Sequence, residues 1–477
     1  MKLVDIPYDV WTEIVKHTDP PTLRMLQLTS SALYRLACPI LYQQLVYCYG
    51  TTALQNESFW SRILSEPSSN VRLGTRRLSL PISLIVTRSV MFGPHRSNEI
   101  HAPANVFPWS TILPITRYWE CVVSLTLQNI VIQNEFADAL LQLPALECLA
   151  LTNVSIPVNG TSTTSDNVFL LSPKSGLKRF VLRGPVRGDV DDLDRVWSIV
   201  KTIFRLRSLR SVKVDVEALP SMARIVSLDP MAFVEQRECC FRRFTVVDDG
   251  RVRSGIWTSA LFRILAKIGA PLEQLIVLSL ADLVPNTQSL SFASLRTFYG
   301  PVTLLLSLHS TTVQHLAEIV ATETVVDPLQ FIKSLSRRCD DALRELRILK
   351  LNVVAMDDKI LMSLCSMAPG LVELYLESEY EDLSTIVGNP WNVSPIKELR
   401  WLTKVEFFGF ARGLRETQDR GTTIWLLWQW RSEHSPDLSY VRLSAGEAWT
   451  WRDKMKMWTR VLERANTLES ALTPDFE

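Results

Sequence analysis

A six-residue phrase with apolar residues at positions one, four and six recurs along most of the chain, and no other feature constrains the fold as tightly. It reads VVSLTL from Val122, LECLAL from Leu146, LKRFVL from Leu177, LRSVKV from Leu209, FRRFTV from Phe241 and LEQLIV from Leu272. It continues as LRELRI from Leu343, LVELYL from Leu371, LTKVEF from Leu402 and LSYVRL from Leu438, with weaker copies in TRRLSL from Thr75 and LRTFYG from Leu295. Positions four and six alternate with their neighbours, so each phrase reads as a strand with one buried face. Helix-like segments lie between many of the phrases, at 135–143, 193–204, 257–268, 331–339, 359–367 and 422–430. Several of them end shortly before the next phrase in a proline (Pro144, Pro271, Pro369, Pro436), which lacks a backbone donor and cannot continue a helix.

One strand and one helix cannot bury their shared apolar edge alone, so such units must stack on their neighbours. The phrase resembles the leucine-rich-repeat motif in degenerate form. That resemblance implies an α/β chain whose residues 73–448 form an irregular leucine-rich-repeat-like solenoid with a parallel sheet on the concave face. Irregularity follows from the spacing, since successive phrases start 23 to 48 residues apart. A compact doubly wound α/β domain is the alternative, but a fixed internal spacing marks a repeat rather than generic strands. Loops at 93–105, 156–167 and 411–421 should project from the array. Residues 449–477 are expected to form a capping helix, near Arg452 to Leu468, and a tail. Eight of the fourteen tryptophans fall from Trp391 onward. Most of these read as filling for the last repeats and the cap, with Trp425 and Trp428 at the spacing of a packed helix face.

The first 45 residues have a different pattern. Pro7 suits the approach to a helix carrying Val10, Ile14 and Val15. Asp19-Pro20-Pro21-Thr22 interrupts it, and Leu23 and Leu26 begin a second helix. Ser30 or Ser31 caps a third, whose apolar face is Leu33, Leu36, Ala37, Ile40 and Leu41. About forty residues rarely bury enough surface to stand alone, so part of this apolar set belongs to a partner or to the adjoining domain. The landmarks Ile6-Pro7, Val10-Trp11, Ile14-Val15, Asp19-Pro20, Leu23, Leu26, Thr29-Ser30, Leu33, Leu36-Ala37, Pro39, Leu41-Tyr42 and Leu45 resemble an F-box. This is a short helical module that docks onto the Skp adaptor of cullin-type ubiquitin ligases. Asp9 and Ile6 depart from the usual Glu and Leu while keeping their chemical type. The organisation expected is an F-box at 1–45, a linker with a short helix at 46–72, the solenoid, and the cap.

Composition excludes several classes. With 51 Lys plus Arg against 50 Asp plus Glu, the net charge of +1 offers no global attraction to nucleic acid or anionic membrane. No stretch has the length of a signal-peptide core or a membrane span, which points to the cytoplasm or nucleus. In that setting the N-x-Ser/Thr sequons at Asn56, Asn153, Asn159 and Asn392 carry no glycan. Eight scattered cysteines with no CxxC pair, and six histidines without ligand spacing, leave no metal motif. No phosphate-binding or nucleophile-elbow phrase occurs, and the acidic run at Asp189, Asp191, Asp192 and Asp194 precedes a helix whose dipole accounts for it. The chain is expected to be no enzyme and to hold no cofactor.

The F-box resemblance implies the substrate-recognition subunit of an Skp-cullin-F-box ubiquitin ligase, bound to the Skp adaptor and through it to a cullin. Carried over from the family's motif, Ile6, Pro7, Val10, Ile14, Leu23 and Leu26 would grip the adaptor, with Trp11 and Leu33 packed inside the module. The repeats would capture an unidentified protein target. If positions four and six of each phrase face the core, positions three and five and the residue after the phrase face the open side. These are Arg179, Arg183, Lys213 and Arg243 early, and Glu373, Tyr375, Glu377, Glu406, Phe408, Tyr440 and Arg442 late. The alternative is a non-catalytic repeat scaffold without ubiquitin transfer.

Overall fold

The computed structural model describes residues 7–41, 44–49, 82–88, 122–128, 145–154, 176–184, 203–204, 206–220, 222–223, 241–248, 256–268, 271–278, 289–338, 343–354, 358–378, 399–408, 420–444 and 447–461. The chain divides into two compact units, Met1–Phe241 with Lys267–Ala270, and Arg242–Ala266 with Pro271–Glu477.

The first unit opens with three helices, α1 (Tyr8–Lys16), α2 (Pro20–Thr29) and α3 (Ser31–Leu41). Their boundaries follow from local chemistry. Two prolines occupy the first turn of α2, where a missing N–H costs nothing, and the Asp19 carboxylate accepts the Thr22 N–H at 3.2 Å. Ser30 Oγ accepts the Leu33 N–H at 3.1 Å, so Ser30 is the residue that caps α3. Val15, Leu23, Leu33, Leu36 and Ala37 form a core of their own, with Trp11 and Leu26 packed against it.

Six strands follow in the described part of this unit, each parallel to the one before: β1 (Gln44–Tyr49), β2 (Ile82–Arg88), β3 (Val122–Gln128), β4 (Cys148–Thr152), β5 (Arg179–Arg183) and β6 (Ser211–Asp215). From β3 on, the alternation is as the phrase predicts. Leu125, Leu127, Leu149, Leu151, Phe180, Leu182, Val212 and Val214 are buried, and the residues between them are half-buried or exposed. Phe204 meets Phe180 edge-on at 6.2 Å and Phe241 at 5.7 Å. The expected linker at 46–72 begins as strand, because β1 extends to Tyr49 and pairs with β2. The weak phrase at Thr75, the helix at 135–143 and the loops at 93–105 and 156–167 lie outside the described residues.

The second unit carries β7 (Arg243–Val247), α4 (Ile256–Lys267), β8 (Gln274–Leu278), β9 (Thr297–Gly300), the short α5 (Val302–Leu305) and α6 (Ser310–Gln314), and β10 (Glu318–Val325). Then come α7 (Pro328–Arg338), β11 (Ile348–Val353), α8 (Asp358–Met367), β12 (Glu373–Ser378), β13 (Lys404–Phe408), α9 (Arg420–Glu433) and β14 (Tyr440–Ser444). Strands β7 to β14 pair in chain order and all run parallel. This repeating strand and connection, with a parallel sheet in sequence order, is a leucine-rich-repeat-like array.

Three expectations need correction. LRELRI from Leu343 is out of step by three residues. The strand begins at Ile348 and buries Leu349, Leu351 and Val353, so the working phrase is LRILKL from Leu346. Both readings satisfy the apolar pattern, and the pairing of Ile348 with Glu373 decides between them. The long interval after Leu295 conceals a further repeat, LAEIVA from Leu316, whose strand is β10; alanine at position six hid it. Residues expected to start a capping helix instead form an antiparallel hairpin, β15 (Glu447–Arg452) and β16 (Met457–Val461), on the edge of β14. Period-two placement of Trp449, Trp451, Trp458 and Arg460 favours strands over a helix there, and Lys456 turns the chain at φ 51.

In the first unit the chain leaves β5 through Gly184 at φ 69, beside Asn153 at φ 50, whose N–H donates to Arg183 O at 2.9 Å. A methyl at position 184 would run into the Asn153 side-chain oxygen. Gly184→Ala should therefore cost roughly 2 kcal/mol or more of the first unit's stability in a urea titration, from left-handed backbone strain together with the clash.

Candidate binding surfaces

On the helical module, Val10 and Ile14 stand four residues apart on one face of α1 and are 47% and 41% exposed. Pro7 is exposed too. Leu23 is only 1% exposed and belongs to the module's core, so it cannot fill a partner's groove, and Leu26 is half-buried against the same core. Trp11 and Leu33 pack inward as the sequence suggested. Ile6 lies outside the described residues. The sequence reading missed Met25 and Leu28, which are 66% and 77% exposed. Helical geometry held the signal: once Leu23 and Leu26 point inward, Met25 and Leu28 fall on the opposite side of α2.

The strand face of the first unit is basic at its described end. Arg179 and Arg183 project from β5 and are exposed, while Lys213 on β6 pairs in register with Val181. Partial burial, and then the charge of Arg183, hold the Lys213 ammonium below its usual pKa.

In the second unit the outward positions of successive strands line up in rows. One row runs Arg243, Gln274, Thr297, Glu318, Ile348, Glu373, Lys404, Tyr440, and its neighbour runs Thr245, Ile276, Tyr299, Val320, Lys350, Tyr375, Glu406, Arg442. Arg243 Nε donates to Gln274 Oε1, and the Tyr299 hydroxyl donates to Glu318. Lys404 Nζ stands 2.7 Å from Glu406 Oε1 and 5.4 Å from the centre of the Tyr440 ring, while Arg442 Nη1 reaches Glu406 Oε2 at 3.4 Å. Tyr375 donates to Glu377 Oε2 at 3.4 Å.

Burial sorts these residues into two groups. Tyr375, Glu406 and Arg442 are almost fully buried, so they hold the face together rather than present it. Arg243, Glu373, Glu377 and Tyr440 are half-buried and present polar atoms. Phe408 belongs to β13, but its side chain lies outside the described residues. Desolvation, and then Glu377 and Glu406, push the Tyr375 phenol far above its ordinary pKa, while desolvation and Glu318 do the same at Tyr299.

The tryptophans divide unexpectedly. Trp430, Trp449 and Trp458 are buried, yet Trp425, Trp428 and Trp401 are exposed, so the spacing of Trp425 and Trp428 marks the open side of α9. Its buried side is Leu427 and Trp430, three residues apart in the same way. A cleft of about 190 Å³ lies between Trp428, Arg431, Ser432, Pro436 and Trp451, with the Arg431 guanidinium 4.6 Å above the Trp451 ring. Among the described residues no group of three or more His, Cys, Asp and Glu is placed to hold a metal ion, and no helix is long and apolar enough to cross a membrane.

No family model and no curated protein matches the chain. Solved structures do resemble it, among them the crystal structure of a TLR13 and ssRNA13 complex. That match has 14% identity and a TM-score of 0.34, and covers 71% of this chain and 44% of the other. This chain therefore spans less than half the length of that one, and the likeness adds nothing to what the strand order already shows.

Glu377 gives a pH prediction. Burial holds its carboxyl above the ordinary carboxylate range, against a weaker opposing effect of the Tyr375 hydrogen bond. The folded chain then binds that proton more tightly than the unfolded chain, so its contribution to stability is present in acid and is lost as pH rises through the carboxylate range. Glu377→Gln should raise the denaturation midpoint at pH 7 and give no gain near pH 4, measured by thermal unfolding across that interval.

Proposed function

We propose that this chain is the target-recruiting subunit of an Skp-cullin-F-box ubiquitin ligase, its N-terminal helices docking on the Skp adaptor and its strand faces capturing a protein. One observation carries the reading. A helical module that already has its own core turns Val10, Ile14, Met25 and Leu28 outward, within the segment that resembles an F-box. Apolar side chains so exposed on so small a module are suited to burial by a partner. Pro7, Val10 and Ile14 keep the adaptor-binding role the resemblance gave them. Met25 and Leu28 join them in place of Leu23.

Capture falls to the polar strand faces, through Arg179, Arg183 and Lys213 in the first unit and Arg243, Glu373, Glu377 and Tyr440 in the second. The chain itself does no bond chemistry in this scheme. It raises the target's effective concentration near a thioester held by a recruited conjugating enzyme, and that work belongs in the cytoplasm or nucleus. A protein-binding scaffold outside any ligase is the second reading, and the same exposed apolar set would then meet a different partner.

Co-purification decides between them. The intact chain should retain Skp and a cullin. Val10→Asp with Ile14→Asp, and separately Met25→Asp with Leu28→Asp, should each cut adaptor recovery by at least about tenfold, since burying each such side chain contributes on the order of 1.5–3 kcal/mol. Both pairs lie on exposed positions, so circular dichroism should show an intact fold. Leu23→Ala should instead loosen the module. Undiminished adaptor recovery in both double variants would remove the ligase reading.

A further inference from the structure

On the second unit, the strand face between β9 and β12 carries more carboxylate than cation. Glu318, Glu373 and Glu377 occupy outward positions there, and Lys350 is the only Lys or Arg at the outward positions of these strands. Among the described residues neither Glu373 nor Glu377 has a cation within salt-bridge distance, and Glu318 is engaged by the neutral Tyr299 hydroxyl. The other cations of the face are already taken up, Arg243 by Gln274, and Lys404 and Arg442 by Glu406. Asn352 pairs in register with Glu377 on the neighbouring strand, and among the described residues its buried Oδ1 accepts no hydrogen bond. A buried acceptor with no donor is costly, and so is a half-buried carboxylate with no cation. Both costs fall at adjacent positions on one face.

We propose that this face receives an extended, arginine-bearing segment of the captured protein, with one guanidinium seated between Asn352 and Glu377. This inference rests on the capture reading above and names the chemistry of what is captured. A guanidinium has five donors in a planar fork, enough to serve both oxygens of one carboxylate and still reach the Asn352 amide oxygen. A second arginine would meet Glu318. Glu318 is level with Glu373, so it lies two strands across and four residues along from Glu377, roughly 16 Å by strand spacing and rise and the reach of about five residues of extended chain. Arginines about five apart therefore match the two positions. The raised pKa of Glu377 is consistent with this, because an arriving cation relieves the unfavourable ionisation.

The test uses the full chain and a fluorescein-labelled peptide with Arg-Ser-Ser-Ser-Ser repeated three times. Two control peptides replace every arginine, by citrulline in one and by glutamate in the other. Fluorescence anisotropy should show saturable binding of the arginine peptide, weakened at least about tenfold by citrulline and absent with glutamate. Glu377→Gln and Asn352→Leu should each weaken it about fivefold or more, and added salt should weaken it further. Glu377→Gln is expected to fold at least as well as the parent at pH 7, so a loss of binding is not a loss of fold. Equal binding of the citrulline peptide, or binding untouched by both variants, overturns the proposal. Adaptor co-purification on the same samples separates the two readings. A chain that retains Skp and ignores the arginine peptide overturns this inference alone, while one that binds the peptide through Glu377 without retaining Skp supports it and removes the ligase reading.

Discussion

A leucine two residues ahead of each strand from β8 to β14 sets the second unit's arrangement, and the rest of that unit depends on its burial. Leu272, Leu295, Leu316, Leu346, Leu371, Leu402 and Leu438 are all fully buried, one per repeat, and each leads into a strand that aligns with the last. No single repeat can bury such a residue by itself. Stacking is therefore compulsory, and the parallel register follows because each repeat places its strand start at the same step. Removing one of these side chains to alanine would be expected to cost about 2 to 5 kcal/mol, a large share of what holds a domain of this size together.

That dependence explains which parts of the fold were legible. The phrase located most strands from β3 to β14, and the helices at 257–268, 331–339, 359–367 and 422–430 appear as α4, α7, α8 and α9. It failed where its chemistry was ambiguous. Leu343 and Leu346 both satisfy the pattern, and only pairing with β12 chooses Leu346. Ala321 at a sixth position was too small to register as core, although it is buried. The hairpin is hidden because bulky residues such as Trp449, Trp451 and Trp458 suit the filling of a cap as well as the alternation of a strand.

Surfaces were harder to read than the core. Alternation correctly put Arg179, Arg183, Glu373 and Glu377 on the strand face, but it could not say how deep each one sits. Glu406 and Arg442 share that face, yet both are almost fully buried and hold each other. A buried pair of this kind is seldom a source of stability, since desolvation offsets the attraction; its more dependable effect is to fix one arrangement of neighbouring strands. Depth depends on which charges meet across strands more than thirty residues apart in sequence. Likewise Met25 and Leu28 look like any apolar helix residues until Leu23 and Leu26 are seen to supply that helix's inner side.

The antiparallel hairpin gives the array a direction of growth. A parallel stack can lengthen indefinitely, because every new repeat offers its successor the same open edge that it found. After β14 the chain turns back on itself through β15 and β16, and that edge no longer matches the start of a repeat. Duplication of a strand and helix unit can thus be absorbed between β7 and β14, where both neighbours present the matching register, but not appended beyond the hairpin. Evolution or engineering that changes the reach of this surface must work by internal insertion, and each inserted unit would move everything after it along the array by one strand spacing.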